Sequence, residues 1–169
     1  LRDDGVGWRV VEKAHEQWTQ RQSDQAGPTK NEPVSAFVEF DRVSLGGLAL
    51  MERLVGYSRA VLVDAIQTRG GVPGTVYRLS LDDLPTLHAD SAHDASLKAA
   101  LELGRRLGAR LPEEIVIYAV EAEDIWDFGE TLSPDVAASV RTATRAVLAE
   151  LEELWYRPNC CAGTRFSGA

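Results

Sequence analysis

Few residues of this chain are of a type and spacing that could do chemistry. Asp3 and Asp4 open it, in "LRDDGVG". Asp41 closes the apolar stretch "VSAFVEF", and Asp64 interrupts the run "RAVLVDAI". His88 and His93 share the irregular segment "LDDLPTLHADSAHDAS". Two carboxylates and an imidazole make a ligand set for a divalent transition metal, with positions left open for a substrate. A carboxylate inside an apolar run needs a partner, a proton or a metal. Each residue also has a plainer reading. Asp64 at a strand end serves equally as a backbone acceptor or helix cap. "DDG" at a helix start serves as a cap whose acids suit the helix dipole. His88 and His93 are equal candidates by composition, and His15 reads as a solvated or half-buried helix residue.

Other chemistries lack their motifs. There is no G-x-x-x-x-G-K-[ST] phosphate loop, no G-x-S-x-G elbow and no H-E-x-x-H. "GGVPG" is too irregular for a dinucleotide fingerprint. The net charge of −8 argues against a nucleic-acid partner, which needs clustered Lys and Arg. It argues equally against an anionic membrane surface. No apolar run reaches the ~20 residues that span a bilayer. The only cysteines, Cys160 and Cys161, are neighbours in a loose tail. No disulfide framework follows, and a cytoplasmic setting is expected.

The elements that must position these residues alternate along the chain. "DDGVGWRVVEKAHEQW" predicts a helix with Val6, Val10, Ala14 and Trp18 on one stripe. The polar 21–33 stretch predicts a loop, and "VSAFVEF" a strand ending at Asp41. "LGGLALMERLVG" predicts a short helix stopped by Gly56. "RAVLVDAI" has the composition of a central parallel strand. "QTRGGVPG" is too short for a crossover, so "TVYRLS" should run antiparallel. "SLKAALELGRRLGARL" predicts a helix with Leu97, Leu101, Gly104 and Gly108 on one side. "EEIVIYAVEA" predicts a buried strand, and "EDIWDFGETL" an acidic loop. The last helix starts at Ser133, with Pro134 and Asp135 suited to its first turn. Its core stripe is Val136, Val140, Ala143, Val147, Leu151 and Leu154.

This alternation predicts one α/β domain over 1–157, followed by a tail, 158–169. The architecture is a three-layer, mostly parallel twisted sheet with one antiparallel edge strand and helices on both faces. In such sheets ligands bind outside the carboxyl ends of the strands. Asp41 and Asp64 stand at such ends. A strand before Leu1 would bring Asp3 and Asp4 to the same edge, and the loop with His93 could fold over it.

The residues also resemble those of a known family. "LRDDGVGWRVVE" resembles the second half of the N-terminal signature of the hydrogenase maturation endopeptidases, L-x-D-[DE]-G-x-G. "VEFDRVSLGGLALMERLVGYSRAVLVDAIQTRGGVPGTVYRL" resembles their middle block, with its acid-ended strand, "D-A" strand and "P-G-x" turn. "SAHDASLKAAL" resembles their S-x-H-x-x-x-L segment. "IYAVEAEDI" and "GETLSPDVAASV" resemble the closing strand and last helix. Val43 stands where the family usually has glycine, and "AVEAEDI" lacks its usual glycine and proline. The family's G-x-G-N turn and the strand before it are not in this chain, so the resemblance implies a first strand ahead of residue 1.

The resemblance implies that Asp4, Asp64 and His93 are the metal-binding and catalytic residues, in preference to Asp3 and His88. It implies that Asp41, Ser44 and Gly46 belong to the substrate cleft. It further implies a nickel-dependent endopeptidase with no protein nucleophile, which removes the C-terminal extension of a [NiFe] hydrogenase large-subunit precursor after nickel insertion. The nickel would be supplied by the substrate, with another divalent metal possible in its absence. The rival reading is a non-catalytic, nickel-sensing assembly chaperone that binds the precursor with the same three ligands. A third, a flavin- or nucleotide-binding α/β domain, is disfavoured by the lack of a phosphate loop.

Overall fold

The run "EIVIYAVE" is apolar at nearly every position, and it becomes the middle of the sheet. The computed structural model describes residues 2–25, 38–83, 92–123, 129 and 131–156; the side chains of 24–25, 92–96 and 154–156 lie outside that description. After a single 3-10 turn, Asp3–Gly5, come α1 (Val6–Gln25), α2 (Gly47–Arg53), β1 (Arg59–Ile66) and β2 (Val76–Leu79). Then follow α3 (Ala92–Arg106), β3 (Glu114–Glu121) and α4 (Pro134–Tyr156). The strand order is β1-β3-β2. β1 pairs in parallel with β3, from Arg59 opposite Glu114 to Ile66 opposite Glu121. β2 runs antiparallel to β3 on its other side, as its short connection predicts.

Side chains alternate across a strand, so β3 feeds two cores. Val116, Tyr118 and Val120 join Val6, Val10, Ala14 and Trp18 of α1 and Val136, Val140, Ala143 and Val147 of α4. Ile115, Ile117 and Ala119 join Met51 of α2 and Leu97 and Leu101 of α3. Helices therefore cover both faces, and the predicted stripes of α1 and α4 are the ones buried. Leu151 is partly buried, while the side chain of Leu154 lies outside the description.

Several elements differ from expectation. The central strand is β3 rather than β1, which has no strand on its outer edge among the described residues. Its Val61, Leu62 and Val63 are accordingly only half-buried. Residues 38–40, the described end of the strand expected over 34–40, carry no ladder among the described residues, and 34–37 lie outside them. α3 starts four residues earlier than predicted, at Ala92, and ends at Arg106. Gly108 is not on its face but ends it in a left-handed conformation, φ 81°, donating its N–H to Arg105 O at 3.0 Å. Gly104 is buried, where a Cβ would lie 2.8 Å from Met51 Sδ. The 21–33 loop beyond Gln25, most of the acidic loop and the cysteine tail lie outside the described residues.

Two polar networks fasten these layers. Glu150 of α4 is buried and accepts from Arg78 Nε at 2.8 Å, Arg78 Nη2 at 3.0 Å and Tyr118 Oη at 2.9 Å. One carboxylate thus joins α4, β2 and β3. Burial and this neighbour push the Tyr118 phenol up to about 12. On the surface, Arg53 of α2 donates to Asp41 Oδ2 at 2.6 Å and to Glu39 Oε1 at 3.3 Å. Tyr57 Oη also donates to Glu39. Phe40 stacks on His15 of α1, ring centroids 4.8 Å apart. Residues 38–42 are thereby held against both α1 and α2 without a strand ladder.

Two outcomes test these networks. Glu150→Ala should cost about 1–3 kcal/mol in denaturant unfolding, because the buried Tyr118 hydroxyl loses its acceptor; a loss within experimental error would show the network to be dispensable. The Arg53 hydrogen bond holds the Asp41 carboxyl below its ordinary value of 3.8. A depressed value means that the pair is intact at neutral pH and is lost only as acid carries the solution through that lowered midpoint. An NMR titration of Asp41 should therefore show a midpoint below 3.8 that returns toward the ordinary value in Arg53→Gln.

Candidate functional site

The opening residues "DDG" are two acids in succession with opposite fates. Asp3 is fully buried. It accepts from Ser133 N at 2.7 Å, Ser133 Oγ at 2.9 Å and Glu123 N at 3.1 Å. It therefore clamps the opening turn to the end of β3 and to the start of α4. Ser133 stands at the predicted cap position, but its hydroxyl is donated to Asp3. Asp4, the next residue, is exposed. Sequence reasoning rested the choice between the two acids on resemblance alone; burial separates them physically.

Gly7 brings this turn to Asp64. A Cβ on Gly7 would lie 2.5 Å from Val63 O and 3.6 Å from Asp64 Cα. Only a residue without a side chain lets the helix approach the strand so closely. Asp64 is exposed, not buried as its apolar run suggested. β1 is the last strand of the described sheet, so a residue near its carboxyl end reaches solvent. Asp64 Oδ1 accepts from Ala65 N at 2.8 Å, the plain backbone role anticipated for it. Alternation puts Asp64 on the face of Ala60, Leu62 and Ile66, which pack with α2 and α3.

His93 belongs to the first turn of α3, not to an irregular loop. Residues 107–113 lead from the end of α3 to the start of β3, so α3 runs back along the sheet. Its first turn points toward the carboxyl edge, where Asp64 lies. The His93 side chain, and all of His88, fall outside the described residues. Among the described residues no group of three or more His, Cys, Asp or Glu is placed to hold a metal ion. Asp4 and Asp64 fit a metal as hard oxygen donors, but two carboxylates alone leave most of a divalent cation's shell to other donors.

The other expected residues lie in the segment that leads into α2 and contacts α1. Asp41 is engaged by Arg53 and by Arg42 N, at 2.9 Å, so its carboxylate is already spoken for by a cation. Ser44 is exposed, and Gly46 is the residue before α2. Trp8, one helical turn beyond Asp4, is half exposed and donates Nε1 to Val43 O at 3.5 Å. Arg42 pairs with Glu12 of α1 at 3.1 Å. These contacts lay part of segment 41–46 along a flank of α1, beside Trp8 and Glu12. Trp8 and Arg53 were missed by sequence reasoning. An exposed tryptophan four residues after an acid on a helix was the available signal for the first; nothing in the sequence marked the second.

No described helix is long and apolar enough to cross a membrane. Comparison with known proteins places this geometry. The family described as hydrogenase maturation protease matches residues 45–150. The hydrogenase 2 maturation protease of Escherichia coli is 24% identical over 155 residues, covering 90% of this chain and 85% of that protein. The hydrogenase expression/formation protein HupD of Thiocapsa roseopersicina is 25% identical over 154 residues; the match covers 89% of this chain but spans only 62% of that relative's length. Among solved structures, the hydrogenase maturating endopeptidase HybD from E. coli superposes with a TM-score of 0.64 at 23% identity, over 91% of this chain and 86% of that one. The [NiFe] hydrogenase maturation protease HybD from Thermococcus kodakarensis gives 0.56 at 25% identity, over 92% and 91%. With well over half its residues matched by the family and its fold shared with these enzymes, the chain belongs to the hydrogenase maturation proteases.

Proposed function

We propose that this protein is an endopeptidase that trims the C-terminal extension of a [NiFe] hydrogenase large-subunit precursor once nickel has been inserted. The observation that carries the reading is the Gly7 contact with Val63, which brings the turn bearing exposed Asp4 against the strand bearing exposed Asp64. Two accessible carboxylates at one sheet edge suit a cation that arrives with its own ligands. Nickel held by cysteines of the precursor is such a cation, and it is substrate rather than resident cofactor. His93, in the first turn of α3, is the third donor in this reading. Engagement of the nickel by Asp4, Asp64 and His93 sets the scissile peptide beside a Lewis acid, which polarises its carbonyl or activates water. No protein nucleophile is required. Segment 41–46 and Trp8 flank the same edge and form the wall along which the precursor lies.

Nickel-loaded and nickel-free precursor, incubated with the protein and weighed by mass spectrometry, test the reading. The loaded form alone should lose its extension. A precursor that binds without shortening would instead make the protein a nickel-sensing assembly chaperone. Asp64→Asn and His93→Ala should each reduce cleavage by roughly 100-fold or more while keeping the wild-type melting temperature; normal processing by either would sink the ligand assignment. Asp4→Asn should act in the same way, with stability within about 0.5 kcal/mol of wild type. Asp3→Ala should behave in the opposite sense, costing about 1–3 kcal/mol of stability through the loss of its buried bonds. Gly7→Ala should impair both, since its Cβ must push the opening turn away from Val63.

A further inference from the structure

The connection between β1 and β2 is built around a buried carboxylate that the proposed reaction does not use. β1 and β2 are not neighbours, because β3 lies between them. Residues 67–75 must therefore cross the carboxyl end of β3, on from the strand end that carries Asp64. Glu121, the last residue of β3, lies under this crossing and is only 2% exposed. Its carboxylate accepts from Thr68 N at 2.6 Å and from Thr68 Oγ1 at 2.9 Å. Its main chain holds the other end: Glu121 N donates to Thr75 O, and Gly74 N donates to Glu121 O, both at 2.8 Å. A single residue thus fastens the start of the loop with its side chain and the finish with its backbone.

The middle of the loop is equally determined. Gly71 rests on the carboxylate, where a Cβ would lie 2.1 Å from Glu121 Cδ. Val72 O accepts from Thr75 N at 3.0 Å and from Thr75 Oγ1 at 2.7 Å. Gly70 and Gly74 adopt left-handed φ of 77° and 81°, and Gly74 lies against Asp135 O of α4. A loop that only joined two strands would need no buried carboxylate, which is costly to desolvate. This loop has one shape, and at its outermost part Val72 is 68% exposed. The loop begins at Gln67, three residues after Asp64, at the same end of the sheet.

We infer that Glu121 is a positioning residue, which locks residues 67–75 into a rigid rim whose Val72 receives an apolar side chain of the precursor a few residues from the scissile bond. This rests on the endopeptidase reading. A preorganised rim binds without first losing loop entropy, so its disruption should appear in substrate affinity rather than in the chemical step.

Steady-state cleavage of nickel-loaded large-subunit precursor, precursor binding by calorimetry and thermal melting should be measured on the full chain. Val72→Asp should raise KM and the precursor Kd about tenfold or more, with kcat and Tm unchanged. Glu121→Ala should raise KM similarly, and Glu121→Gln, which keeps an acceptor for Thr68, should recover most of that loss. Unchanged KM and Kd in Val72→Asp would overturn the inference, as would a Glu121→Ala protein that loses Tm but keeps its KM. If the wild type binds precursor without cutting it, the endopeptidase reading fails. The rim is then judged by the shift in Kd of the same variants.

Discussion

The site hangs on one buried carboxylate, Asp3. Hydrogen bonds that it accepts come from the main chain at Glu123, just past β3, and from both donors of Ser133, at the head of α4. The opening turn thus meets residues 120 and 130 positions further along the chain. Ion burial is costly, so such a group persists only when its lone pairs are filled. Two backbone amides and a hydroxyl are among the donors that fill them here. The amide of Ser133 belongs to the start of a helix, where N–H groups lack intrahelical acceptors and the dipole favours negative charge. The acid that seemed suited to the first helix thus serves the last one. Its burial also fixes the direction of its neighbour. With Asp3 turned inward, the 3-10 turn turns Asp4 outward, to solvent.

A second constraint, close packing, completes the placement. Val6 and Val10 of α1 are fully buried against α4 and β3, which sets the helix at a fixed depth. At that depth the backbone of Gly7 touches β1 at Val63. The contact needs no polar partner and contributes no charge, yet it decides which residues share the edge. Glu121 acts similarly for the loop beyond β1, at the opposite boundary of the same edge. Buried carboxylates shape the frame around this edge.

Much of this was legible in sequence. Period 3.6 marked the faces of α1 and α4, and an unbroken apolar run marked β3, because those elements are decided by local pattern and burial. The antiparallel sense of β2 followed from the length of its connection. What failed depended on neighbours. The exposure of Asp64 depends on β1 lying at the end of the described sheet, which no reading of "RAVLVDAI" contains. Asp3 and Glu121 look like ordinary acids in sequence, since their partners lie 130 and 53 residues away. Glu121 closes a strand whose burial is expected from its apolar run, but its charge gives no sign that its side chain is among the most buried in the protein.

The division between "D" and "D" in "LRDDG" shows why resemblance and burial are different warrants. A motif selects Asp4 by position and says nothing of why its neighbour is unsuitable. Burial supplies the reason. A carboxylate that already accepts three hydrogen bonds has little capacity left for a cation, and removing it from Ser133 would unfasten α4. Asp41, though exposed, is occupied in another way, paired with the Arg53 guanidinium at 2.6 Å. A metal-bearing substrate is attracted by accessible negative charge. Of the four acids Asp3, Asp4, Asp41 and Asp64, Asp3 is buried and Asp41 is paired with Arg53. On the proposed reading, accessibility more than residue type sets Asp4 and Asp64 apart as the pair that a cation would meet.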